Sequence, residues 1–103
     1  MTFEVEKLGG LIRVRGEMTI YDATLIKDGL FAALQGESDV CIDLSGVSEV
    51  DTTGLQVLLM VHRTCASRGV PFAVAHLSDV MRETLGLLRL GSLIPADQPQ
   101  IAR

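Results

Sequence analysis

Apolar and polar residues alternate along FEV (3–5) and LIRVR (11–15), with the turn-forming KLGG between them. A period of two buries one face of each strand, and the glycine break predicts an antiparallel hairpin. Arg13 and Arg15 then point away from Ile12 and Val14. The period changes in GEMTIYDATLIKDGLFAALQGES, where Ala23, Ile26, Leu30, Ala33 and Leu34 fall on one helical face. Thr19 and Asp22 have the spacing of a capping box, and Gly36 is a natural stop. Gly29 sits inside this helix at a cost of roughly 1 kcal/mol relative to Ala, which close packing against a neighbour would explain.

VCIDL (40–44) predicts a strand buried on at least one side, and SGV then leads on to a second helix, TGLQVLLMVHRTCASRG (53–69), ended by Gly69. VPFAVAHL (70–77) predicts another strand, with Pro71 near its start, where a missing N–H is tolerated. Ser78 is the expected N-cap of DVMRETLGLLRL and Gly91 its C-cap. A short apolar SLI precedes a polar tail from Pro95 onward. The predicted order is β-β-α-β-α-β-α. Strands separated by helices pair in parallel, so the hairpin joins a mixed sheet with helices packed on it.

Composition narrows the class. A chain of 103 residues, 48% hydrophobic, fits one domain with a core of its own. With 4% aromatics and no Trp, that core must be aliphatic. A formal charge of −4 with scattered basic residues argues against a nucleic-acid partner, which needs a basic stripe. Cys41 and Cys65 lack C-x-x-C spacing and lie in apolar surroundings, as expected of reduced, buried thiols in a cytosolic protein. The start, MTFEVEKLGG, has acids where a signal peptide has bases, and the run VLLMV (57–61) is too short to span a bilayer. The expectation is a soluble cytoplasmic protein with no direct membrane insertion.

Candidate chemistry concentrates in SEVDTTGLQVLL (48–59), where Asp51, Thr52 and Thr53 precede the second helix. One reading is structural: Asp and Thr cap helices, and Gly54 eases a tight turn. The other is functional. A helix N-terminus offers unpaired N–H groups and a partial positive charge, so a hydroxyl there is a good phosphoacceptor. At about 100° per residue, Leu55, Leu58, Leu59, His62, Cys65 and Ala66 form the core face of this helix. Val57 and Met60 fall instead among Gln56, Thr64 and Ser67, which reads either as a docking surface or as a face covered by another element. His62 and His76 have no metal-ligand spacing around them, and G-x-S-x-G, H-E-x-x-H and P-loop patterns are missing. No catalytic residue, metal or cofactor is assigned, and the chain is not expected to be an enzyme.

VCIDLSGVSEVDTTGLQVLL resembles the signature region of STAS domains, in particular the bacterial anti-sigma factor antagonists. The matching residues are Asp43-Leu44-Ser45 and then Asp51-Thr52-Thr53-Gly54-Leu55. GEMTIYDATLIKDGL is similar to the family's G-E-L-D segment and first helix, and RGVPFAVAHLSDVMRETLGLLRLGSLI to its fourth strand and third helix. The resemblance implies an α/β fold: a mixed four- to five-stranded sheet with an N-terminal antiparallel hairpin, and three to four helices mainly on one face. It implies a STAS domain over residues 1–94 and a polar tail over 95–103.

It also implies a switch in bacterial signalling. An anti-sigma factor that is a serine kinase of the GHKL type would phosphorylate Thr52, and a PP2C-type phosphatase would reset it. The unphosphorylated domain would hold the kinase and free its sigma factor. Asp51, Thr53 and Gly54 would shape the switch loop, and Thr19, Gln56, Val57 and Met60 the partner-binding surface. Two residues depart from the family pattern: Thr19 stands where Asp is frequent, and Thr52 where Ser is commoner. DTTGLQ with GEMTIY is similar also to STAS proteins of chemotaxis-type signalling. I-D-L-S followed by D-T-x-G-L is similar to a STAS subunit of a phospholipid-transport ABC complex.

Overall fold

The computed structural model describes residues 3–87. Within them the chain forms β1 (Phe3–Leu8), β2 (Leu11–Met18), a single 3-10 turn (Ile20–Asp22), α1 (Ala23–Leu34), β3 (Val40–Val50), α2 (Thr52–Ser67), β4 (Phe72–Leu77) and α3 (Asp79–Leu87). These strands make one sheet in the order β1-β2-β3-β4, antiparallel for the first pair and parallel for the others. Mixed sheet, leading hairpin and intervening helices are as the sequence predicts.

The hairpin closes through Gly9 and Gly10, with Leu8 paired to Leu11 and Gly9 at φ 64°. A positive φ is the reason glycine stands there. Both parallel crossovers, β2–α1–β3 and β3–α2–β4, advance the same way across the sheet. The right-handed rule then puts α1 and α2 on one face, and the two helices do pack on each other. Beneath them lie Ile12, Val14, Ile42, Leu44 and Val74 of the sheet, buried in one aliphatic core with Leu58 of α2. The other side of the hairpin is charged: Glu4 faces Arg15 and Glu6 faces Arg13. Such exposed pairs contribute at most about 1 kcal/mol each, but their alternation with the buried residues fixes which face is which.

Gly29 has the neighbour its position calls for. A Cβ there would lie 3.2 Å from Val5 Cγ2, so α1 presses close onto β1. The capping box is not completed, since the Thr19 side chain makes no cap bond. Ser78 does cap α3, its Oγ accepting the Met81 N–H at 3.3 Å. The Gly91 cap, the SLI segment and the tail from Pro95 lie outside the described residues.

Two expectations about length and face need correction. β3 runs on to Val50 rather than ending at Leu44, because β2 continues beside it, with Gly16 paired to Val47 and Met18 to Val50. Gly46 looks like a loop residue in the sequence. Its lack of a side chain instead admits Arg15, whose Cγ would lie 2.5 Å from an added Cβ. On α2, Leu55, Leu58 and Cys65 are buried as expected, but so are Val57 and Val61, while Ala66 is exposed. A helix packed on both a sheet and a second helix has two buried sides, and a single 3.6-residue stripe accounts for only one.

Candidate functional site

Where β3 hands over to α2, the chain is locked to the end of β2 and the turn after it. The Asp51 N–H donates to the Met18 carbonyl at 3.2 Å. Asp51 is extended (φ −124°, ψ −175°), the backbone of an N-cap. Its carboxylate holds two elements at once: Oδ1 accepts the Gly54 N–H at 3.1 Å, and Oδ2 accepts the Ile20 N–H at 2.9 Å. Gly54 completes the lock from the other side, since a Cβ there would lie 2.1 Å from the Met18 carbonyl oxygen. The D-x-x-G spacing thus encodes a cap and a close backbone approach, both directed at residues 18–20.

Between these two fixed points, Thr52 is exposed on the first turn of α2, and Thr53 is half-buried. Thr52 therefore stands exposed at the end of the helix where N–H groups are unpaired. Gln56, one turn on, is also exposed, and Met60 is half-buried. Val57 is 5% exposed and belongs to the core, so it is removed from the expected partner surface. Thr19 is buried as well, with an Oγ1 that has no hydrogen-bond partner. It lies beside the Met18–Ile20 clamp rather than on a partner-facing surface.

The Asp43-Leu44-Ser45 part of the motif is structural. The buried Asp43 carboxylate accepts the Ser45 N–H at 2.9 Å and lies 3.5 Å from Arg13 Nε. These contacts sit at register shifts of β3 against both neighbours, where ladder bonds are interrupted. Burial opposes ionisation of Asp43. Hydrogen bonds from Ser45, the His76 charge and Arg13 outweigh it, and the carboxyl falls below its ordinary value. Burial pushes both thiols upward, aided at Cys41 by Asp39 and Asp43 and opposed at Cys65 by Arg68, which disfavours the reactive thiolate. His62 packs edge-on against Phe72, with ring centroids 5.1 Å apart. Among the described residues no group of three His, Cys, Asp or Glu could hold a metal ion, and no helix is long and apolar enough to cross a membrane.

The most exposed large apolar side chains near the site are ones the sequence reading passed over. Tyr21 is 91%, Ile20 62% and Leu25 49% exposed. IY inside GEMTIYDAT was a visible signal, obscured by the capping-box reading of the residues around it.

A mixed sheet with an N-terminal antiparallel hairpin and helices joining its parallel strands is the fold of a STAS domain. The family model described as "Mlab, STAS domain" matches residues 2–95, and the chain belongs to this STAS family. The fold is shared with an anti-sigma factor antagonist from Mycobacterium paratuberculosis, at 23% identity over 92% of this chain and 83% of that one, TM-score 0.76. It is shared with the Bacillus cell fate determinant SpoIIAA in its phosphorylated form, at 19% identity over 98% and 96%, TM-score 0.65. A sulfate transporter family protein from Wolinella succinogenes has it too, at 17% identity over 87% and 75%, TM-score 0.63.

Proposed function

We propose that the chain is an anti-sigma factor antagonist-like STAS protein whose binding to an anti-sigma factor is switched by phosphorylation of Thr52. The observation that carries this reading is the exposed Thr52 on the first turn of a helix whose cap, Asp51, is already occupied by Gly54 and Ile20. The partner is a serine kinase of the GHKL type that also holds a sigma factor. Thr52 Oγ1 attacks the γ-phosphoryl group of the kinase's ATP. The new O–P bond forms as the bond to the ADP oxygen breaks, and the hydroxyl proton passes to a base of the kinase. A PP2C-type phosphatase hydrolyses the ester and restores the hydroxyl.

The product carries roughly −1.5 to −2 charge next to the Asp51 carboxylate. It competes for the N–H groups of the first turn and repels Asp51, so the clamp on Ile20 loosens. Binding and release follow from that change, with no chemistry of the chain's own. Incubation with a cognate kinase and ATP is the test: the intact chain gains one phosphate, which is lost in Thr52→Ala and kept in Thr53→Ala. Incorporation that survives Thr52→Ala refutes the assignment.

A second reading is a constitutive subunit of a larger assembly, such as a phospholipid-transport ABC complex or a chemotaxis-type signalling complex. The matching family model is described by Mlab rather than by an anti-sigma factor antagonist, and the fold recurs in a sulfate transporter family protein, which favours it. On this reading the same helix end docks permanently, and no phosphate enters.

A further inference from the structure

The turn that Asp51 clamps opens onto α1, and together they form a shallow concavity of about 390 Å³. Its large apolar lining residues are Ile20, Tyr21 and Leu25, all three exposed. A contiguous exposed apolar patch rimmed by polar groups is the usual mark of a protein-binding surface. Charge specifies what fits. Among the described residues, the lining includes the carboxylates of Asp22 and Asp28 and no basic side chain. Lys27 is exposed but is turned about 200° from Leu25 around the helix, whereas Asp28, three residues on, shares the Leu25 face. The patch is continuous with the switch: the Ile20 N–H that anchors its edge is held by Asp51, next to Thr52.

We propose that this face, with Ile20, Tyr21 and Leu25 at its centre and Asp28 at its rim, docks an amphipathic helix of the partner whose apolar stripe is flanked by lysine or arginine. Apolar side chains spaced three and four residues apart seat among the three, as in other helix-in-groove complexes, and a cation pairs with Asp28. The proposal rests on the reading that the chain acts by binding a protein. It adds the chemistry of the segment bound.

The chain has one tyrosine and no tryptophan, so its intrinsic emission comes from Tyr21 alone. The full unphosphorylated chain is titrated with an aromatic-free Leu/Lys amphipathic helical peptide and with its Leu/Glu counterpart. The expected result is a saturable change in Tyr21 emission with the Leu/Lys peptide only. Asp28→Lys and Leu25→Ser should each weaken it about tenfold without moving the thermal midpoint, because both side chains are exposed. Glu83→Lys, the same charge change on α3, should stay within about twofold. Equal binding of both peptides, or an equal loss in Glu83→Lys, overturns the proposal. So does sedimentation of the free chain as a dimer that Tyr21→Ser dissociates, which would assign the face to a second copy. No kinase enters these titrations, so their failure leaves the Thr52 phosphorylation result standing, and the converse holds.

Discussion

The Asp51 carboxylate accepts the Ile20 N–H at 2.9 Å, and so ties the first turn of α2 to the turn that precedes α1. Capping needs only one carboxylate oxygen, and Oδ1 supplies it to Gly54. The second oxygen makes the residue a connection between a modifiable hydroxyl and an apolar surface. Asp51→Ala removes both bonds and should lower stability by about 1–3 kcal/mol, read from urea unfolding. It should also change Tyr21 emission in the folded state, and an unaltered emission would mean that the turn does not depend on Asp51.

Gly54→Ala should be far more damaging than Gly29→Ala. At Gly54 the added methyl meets backbone, the Met18 carbonyl oxygen at 2.1 Å, and either β2 or α2 must move. A loss of about 3 kcal/mol or more is expected, the scale of severe overpacking. At Gly29 the contact is a Val5 methyl at 3.2 Å, and the gain in helix propensity of roughly 1 kcal/mol offsets a small adjustment. Thermal melts of the two variants give the comparison.

Thr52→Glu should leave the thermal midpoint nearly unchanged, because the side chain is exposed and a carboxylate is favoured at a helix N-terminus. If the phosphorylated form is the released one, the same substitution should reduce affinity for the partner kinase by about tenfold or more, consistent with coupling energies of 1–3 kcal/mol. Equal binding by wild type and variant in a pull-down titration favours the constitutive-subunit reading.

Val57→Asp should unfold or strongly destabilise the protein, by about 3–5 kcal/mol, because an unpaired charge would enter the packed region of α2. Gln56→Asp, on the exposed side of the same turn, should stay within about 0.5 kcal/mol. Urea midpoints of the two variants separate buried from exposed positions.

Asp43 makes stability depend on pH. Its folded pKa lies below the ordinary 3.8, so its ionised form stabilises the fold above that value. The contribution is lost as pH falls through the folded pKa. The stability gap between wild type and Asp43→Asn should therefore be constant near neutrality and narrow below about pH 4. A gap that does not change with pH would assign the role of Asp43 to shape rather than charge.

Much of this protein was written locally. The Gly9–Gly10 turn, the alternation around Ile12 and Val14, and the stops at Gly36 and Gly69 depend on backbone sterics and on periods of a few residues. The sequence by itself therefore determined the order of elements, the mixed sheet, the family motif, and the placement of Thr52 at a helix start. Only the tertiary structure decided which of the neighbouring residues face outward. Val57 is buried because α2 packs on a sheet and on α1 at once, and Thr19 is buried between Met18 and Ile20, the two residues whose backbone bonds to Asp51. Asp51 reaches Ile20, and Gly54 meets Met18, across distances in the chain that no local period encodes. Burial is a property of everything that surrounds a side chain, so a face with several neighbours cannot be read from the spacing of one helix.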